Sequence, residues 1–238
     1  MLSLSQLLTE SSQIDQYITK DLREYNATIT TITCFVSMNT EIITKKIFEI
    51  ADDTTQWQSI CATVGHSLHV RFPGTRKNSK SNHKSFYNSV SVVFKRNGRT
   101  ICSKVFRTGV HITGCRSFED CVSAANIVAQ MIGLVQQQQE SIYIKGYKIQ
   151  MVNILMDFGQ TVYLQELYEE LQSLKLNCLY DREVYCGLRI KVPKEEGKTC
   201  TFIIFPSGKA MLAGAKAAKD VQKIKETIFP KLSKFLQS

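Results

Sequence analysis

A chain of 238 residues with 43% hydrophobic and 21% charged residues carries enough apolar material for one or two packed domains, which excludes a disordered tail. Its 30 Lys and Arg against 21 Asp and Glu leave a net charge of +9, pointing to an anionic partner, nucleic acid or an acidic membrane surface, without choosing between them.

The opening MLSLSQLLTESSQIDQY has neither a cationic lead nor a long apolar run, so neither a signal peptide nor a membrane span is expected there, and the chain reads as intracellular. Next comes a β-rich run, TITTITCFVSM (28–38), then a helical pattern, TEIITKKIFEIA (40–51), with Ile43, Ile47 and Ile50 on one side. The stretch RFPGTRKNSKSNHK (71–84) reads as a basic, turn-rich insertion, a solvated loop or an arm for flanking nucleic acid. Three alternating segments follow, FYNSVSVVFKR (86–96), RTICSKVFR (99–107) and VHITGC (110–115). They are separated by Asn97-Gly98, a hairpin dipeptide, and by Thr108-Gly109. A helix over 117–135 opens on a Ser-x-x-Asp cap pattern, and the Gln-rich stretch 135–146 reads as a surface connector. Beyond it lie a strand at 147–158, a helix at 162–174, strands near 184–192, 199–206 and 209–214, and a closing helix at 218–236. Pro230 should kink that helix or end its first part.

The order of elements therefore occurs twice. FRTGVHITGCR (106–116) and FPSGKAMLAGAK (205–216) share a Phe, a Gly three residues later, an apolar stretch, a second Gly and a cation. An offset of 99 pairs Phe106 with Phe205, Gly109 with Gly208 and Phe86 with Tyr185; after one extra residue, 100 pairs His111 with Met211 and Gly114 with Gly214. Two sister units of strands and helices imply an α+β class with an antiparallel sheet. The expected organisation is an N-terminal extension (1–21), a first repeat (22–137) with its insertion at about 52–85, and a second repeat (138–238).

The second copy, TFIIFPSGKAMLAGAK (201–216), resembles a signature of the TATA-binding protein family. YDREVYCGL (180–188) resembles that family's second stirrup, and YKIQ (147–150) resembles the start of its central strand. The divergence of the first half is most similar to the versions in large cytoplasmic DNA viruses. The resemblance implies two pseudo-symmetric repeats forming a saddle-shaped sheet, with helices on the convex face and the concave face in the minor groove of bent, A·T-rich DNA. It further implies a transcription initiation factor that works with a factor-B-type partner and RNA polymerase, in the nucleus or a cytoplasmic viral factory, with no cofactor and no membrane.

Carried over by motif position, the resemblance makes Phe86, Phe106, Tyr185 and Phe205 the wedges between base steps, Tyr185 standing where the family has Phe. His111, Thr113, Met151, Asn153, Met211 and Ala213 fall on the groove face. An ungapped match puts Met151 and Ala27 where the family carries an Asn on each central strand, and Asn153, two residues on, shares the face of Met151. Arg116, Lys191, Lys209 and Lys216 take positions that reach phosphates, and Asp181 and Glu183 match an acidic pair that meets the factor-B-type partner.

No constellation for catalysis is written in the chain: there is no phosphate-binding G-x-x-x-x-G-K-[ST] and no H-E-x-x-H. His66 and His69 could neighbour one another on a helix but lack an acid or Cys at ligand spacing. The eight cysteines form no C-x-x-C pair and read as buried, reduced thiols. The competing reading is a module of the same fold that does not bend DNA, acting in replication or repair or as a protein scaffold.

Overall fold

A computed structural model of the chain describes residues 17–18, 20–71, 89–194 and 198–237. Phe86 and the basic stretch 71–84, apart from Arg71, lie outside the described residues. The chain divides into two compact units, Met1–Leu7 with Ile32–Gln150, and Leu8–Thr31 with Met151–Ser238. Two long strands, β1 (Thr28–Met38) and β6 (Ile144–Asp157), contribute to both.

The first unit orders its strands β2-β3-β4-β5-β1, where β2 is His69–Arg71, β3 Ser89–Arg96, β4 Arg99–Phe106 and β5 Gly109–Cys115. Every pairing is antiparallel. Alternation assigns one face of each strand to the core: Ile32, Cys34 and Val36 on β1, Val90, Val92 and Phe94 on β3, Ile101, Ser103 and Val105 on β4, and Val110 and Ile112 on β5 are all buried. Covering that face are α2 (Thr44–Asp52), α3 (Thr54–Val64) and α4 (Phe118–Gln136). The apolar α4 has the length and composition of a membrane span, but Ala124, Ala125, Val128, Met131 and Ile132 are buried within the unit. Ser117 caps α4 as its motif predicts, accepting a bond from the Asp120 amide at 3.1 Å.

The second unit orders its strands β6-β11-β10-β9-β8. These are β8 (Cys178–Asp181), β9 (Tyr185–Pro193), β10 (Thr199–Ile204) and β11 (Lys209–Ala215), again all antiparallel. Beside them are α1 (Lys20–Arg23), the two-residue β7 (Thr161–Val162), α5 (Leu164–Ser173), α6 (Ala218–Leu232) and β12 (Leu236–Gln237). The core gathers Ile154, Leu188, Ile190, Phe202 and Leu212 from the strands with Val221, Ile224 and Ile228 from α6. Tyr25, Phe158 and Phe229 close one end as a ring cluster, with centroids 4.8–5.2 Å apart.

Two features recur at equivalent places in each unit. Between Ile32 and Thr33 opposite β5, and between Leu212 and Ala215 opposite β6, the register slips by one residue, and at each slip a glycine takes a positive φ, +98° at Gly114 and +87° at Gly214. These are paired β-bulges. The second feature joins a cation at the end of one strand to an Asp in the first turn of the following helix. Arg96 meets Asp120 at 3.5 Å, and Lys194 meets Asp220 at 4.0 Å. Asp220 also accepts bonds from the amides of Lys216 (2.7 Å) and Ala217 (3.2 Å), serving as the cap that Ala217 cannot provide. Beside it the Tyr17 phenol donates to the Lys216 carbonyl, and burial, then the Asp220 charge, pushes its pKa up to about 12.

Several expectations need correction. Pro230 neither ends α6 nor marks its boundary: the helix runs two residues further, to Leu232, before a 3-10 turn over Ser233–Phe235. Within segment 52–85 the described residues form α3, closed by Gly65 at φ +73°, and β2. His66 and His69 consequently lie in a loop and a strand instead of on a helix, and the described residues contain no cluster of three or more metal-ligating side chains. Cys186 is exposed, while Cys34, Cys115, Cys121 and Cys200 are buried. The connector is not uniformly solvated, because Gln136 is buried and its Oε1 accepts the Ile43 amide at 2.6 Å. Finally, the strand registers equate Gly109 with Lys209 and leave Gly208 as an added turn residue. Asn97-Gly98 does form the predicted tight turn, at φ +48° and +72°.

The two clamps differ in burial: both Lys194 and Asp220 are 8% exposed, against 28% and 18% for Arg96 and Asp120. Removing Asp220 strands a buried ammonium. Asp220→Ala should therefore cost about 3 kcal/mol in urea unfolding and Asp120→Ala about 1 kcal/mol; equal losses would contradict the difference.

Candidate nucleic-acid interface

Because helices cover one face of each sheet, alternation leaves the other face open. In the second unit that face carries Met151, Asn153 and Leu155 from β6, Lys209, Met211 and Ala213 from β11, Thr201 and Ile203 from β10, and Tyr185, Gly187, Arg189 and Lys191 from β9. Phe205 follows β10 on the same side, half-buried, and its ring meets that of Tyr185 at 6.0 Å and 63°. Both rings lie against Gly187: a Cβ there would come within 2.9 Å of Tyr185, 3.0 Å of Phe205 and 3.0 Å of Ile203. The Arg189 guanidinium sits 4.7 Å from the centre of the Tyr185 ring, and its Nε is buried without a hydrogen-bond partner. The pair is thus held from beneath by a missing side chain and from one side by a cation.

Asn153 is fixed at the bulge. Its Oδ1 accepts the Gly214 amide at 3.2 Å and its carbonyl accepts the Thr30 hydroxyl at 3.3 Å. That leaves the side-chain amide nitrogen free to donate. Met151 lies two residues away on the same face, half-buried. The pairings Ile32 with Cys115 and Val152 with Ala215 make Thr31 the counterpart of Met151, replacing Ala27, which is buried ahead of β1.

In the first unit the open face carries Phe106 at the end of β4, half-buried opposite the core residues Ile101 and Val105. His111 and Thr113 lie on β5, where the Thr113 hydroxyl donates to the Cys102 carbonyl at 3.2 Å. Sequence reasoning missed three neighbours. Phe35 lays its ring against Gly109, where a Cβ would come within 2.7 Å of it and 2.3 Å of the Val36 carbonyl oxygen. Lys104 stands opposite His111 across β4 and β5, and Ser91 opposite Lys104. Simple alternation from Phe106 would have found Lys104, just as alternation from Lys191 would have found Arg189.

The family model "Transcription factor TFIID (or TATA-binding protein, TBP)" matches residues 146–235, which are β6 through the turn after α6. The chain is 26% identical over 190 residues to a "TATA box-binding protein-like 1" of Caenorhabditis elegans, covering 77% of this chain and 35% of that protein, so it spans about a third of that relative. It is 27% identical over 184 residues to a TATA-box-binding protein of Acetabularia peniculus, covering 75% of this chain and 89% of the relative. The solved Methanococcus jannaschii TBP matches with a TM-score of 0.57 at 17% identity, across 87% of this chain and 98% of that one. Residues 146–235 thus match the TATA-binding protein family, and the similarity to its members extends over most of the chain.

The α+β fold is that of TATA-binding proteins. On the margins of its open faces the four cations divide by setting. Arg116, Lys191 and Lys209 are exposed and Lys216 is half-buried. Lys191 faces Thr201 across the ladder and Lys209 faces Asp157, without an ion pair among the described residues. The acidic pair separates as well. Asp181 Oδ1 accepts the amides of Glu183 (3.1 Å) and Val184 (3.3 Å), so it shapes the β8–β9 turn, whereas Glu183 projects beside Val184, which is 75% exposed.

His111 is the one titratable group on the open faces with a shifted pKa among the described residues. Burial, then the neighbouring Lys104 ammonium, holds it below the ordinary histidine value, so the ring is neutral at neutral pH. Replacing Lys104 with Leu removes the second cause, and the His111 pKa should rise when followed by NMR titration. An unchanged pKa would place the ammonium elsewhere.

Proposed function

We propose that this chain is a DNA-binding transcription initiation factor. It engages the minor groove of A·T-rich promoter DNA, bends the duplex with aromatic wedges, and recruits a factor-B-type partner and RNA polymerase. The observation that carries the reading is the Tyr185–Phe205 ring pair, standing uncovered over Gly187 on an open sheet face bordered by Lys191 and Lys209. Aromatic rings left half-exposed with so little helix above them have no core to join, and an insertion between base steps would give their edges the apolar contact they lack.

The division of labour follows from side-chain chemistry. Phe205 and Tyr185 are the wedges of the second unit and Phe106 that of the first, with Phe86 as its partner by motif position. Asn153 and His111 offer donors to the acceptors of the groove floor, Thr113, whose proton goes to the Cys102 carbonyl, presents its methyl and a hydroxyl lone pair, and Met151, Met211 and Ala213 give a smooth apolar contact. Arg116, Lys191, Lys209 and Lys216 reach phosphates, which set position and salt sensitivity without reading sequence. Glu183, with Asp181 shaping its turn, offers the protein partner a charge.

Fluorescence energy transfer across an end-labelled A·T-rich duplex tests the wedges. Phe205→Ala and Phe106→Ala should each weaken binding roughly tenfold, about 1.4 kcal/mol, and reduce the bend. Unchanged transfer would reject the wedge roles, and a duplex that is bound without bending, or not bound, would return the alternative of a non-bending module or scaffold.

The cations make a separate prediction. Lys191→Ala and Lys209→Ala should weaken binding to all sequences alike and flatten the salt slope by about one unit each. A loss confined to one sequence would contradict phosphate contact.

A further inference from the structure

The two open faces are equivalent in register but not in chemistry. Across the second unit one row runs Leu155, Met211, Ile203, Arg189. The matching row of the first unit runs Phe35, His111, Lys104, Ser91. The two central positions of the row are thus Met211 and Ile203 in one unit and His111 and Lys104 in the other. Lys104 is exposed and makes no ion pair among the described residues, and β1, β3, β4 and β5 contain no Asp or Glu. A lone cation and an imidazole therefore occupy the middle of a face whose partner unit is apolar there.

Resting on the DNA reading above, this difference has a consequence for sequence. In the minor groove A·T and T·A pairs present only acceptors, whereas G·C adds the guanine amino donor. An ammonium has donors and no acceptor, so a guanine amino group meets it with like polarity. The narrow groove of A·T tracts also has the more negative potential. Met211 and Ile203 form no hydrogen bonds through their side chains strong enough to make that distinction. Neutral His111 beside Lys104 has one N–H donor and one acceptor nitrogen, so the donor-only polarity belongs to Lys104 and His111 adds to it when its N–H faces the groove.

We infer that Lys104 and His111 make the first unit the A·T-demanding half of the recognition surface, and so fix which way round the protein sits on a site whose halves differ in G·C content. The first unit takes the A·T half, and the second tolerates G·C.

Four duplexes of equal length test this: all A·T, G·C pairs in one half, G·C pairs in both halves, and the last with inosine replacing guanine to remove the amino group. The unmodified protein should bind the first two within about threefold, lose about tenfold or more on the third, and recover on the fourth. In Lys104→Leu/His111→Val the third duplex should come within about threefold of the first. Lys104→Gln, a change at an exposed position, should show part of the same relaxation, and equal thermal melts of variant and parent exclude a folding defect. Discrimination in the variants equal to the parent's would overturn the inference, as would a parent penalised equally by G·C in one half and in both. Both outcomes leave the DNA reading standing, whereas failure to bind any of the four duplexes would overturn it together with the inference.

Discussion

Helices cover a single face of the strands in each unit, and this one-sidedness governs what every second residue does. Residues such as Ile32, Cys34 and Val36, or Val152, Ile154 and Met156, are driven to the covered side because burying their apolar surface is the main favourable term in folding. Their neighbours along the same strands are left on a surface that no helix reaches. A one-residue slip would exchange the two sets. The bulges at Gly114 and Gly214 sit where β5 and β11 meet the long strands, and each glycine's positive φ holds the slip to one residue.

The open face is built with devices that a core would not need. Gly187 supplies space by omission, Arg189 steadies an aromatic ring from the side, and Asn153 uses its carbonyl on a bulge amide, keeping its donor end free. Each fixes the position of a side chain that stays on the uncovered face. The first unit solves the same problem with different residues: Phe35 over Gly109, and a cation with an imidazole where the second unit has aliphatic side chains. Similarity to the family is concentrated correspondingly, the family model matching residues 146–235.

The paired cation–Asp clamps connect that face to the covered one. Each ties the end of a strand to the first turn of the helix that returns over the sheet, so helix and strand termini are fixed together. Lys216 and Arg116 begin those connections, and their amides point at Asp220 and Asp120. The backbone at both cations is thus tied to the helix that follows.

Alternation, hairpin dipeptides and the Ser117 cap are local properties, so strands at 28–38, 99–106 and 209–215 and the helix from Phe118 were legible residue by residue. The doubling was equally legible, because each repeat writes its own turn and bulge glycine. What the chain alone left open depends on partners distant in sequence. Which glycine matched which, and that Thr31 instead of Ala27 answers Met151, follow from strand register, which is set by pairings such as Ile32 with Cys115 and Val152 with Ala215, more than 60 residues apart. Lys104 opposite His111, Arg189 over Tyr185, and Asp181 turned inward to hold its own loop likewise exist only once strands and turns have closed. The sequence determined which residues alternate; tertiary pairing decided which of them meet, because contact across a sheet depends on register and a local pattern contains none.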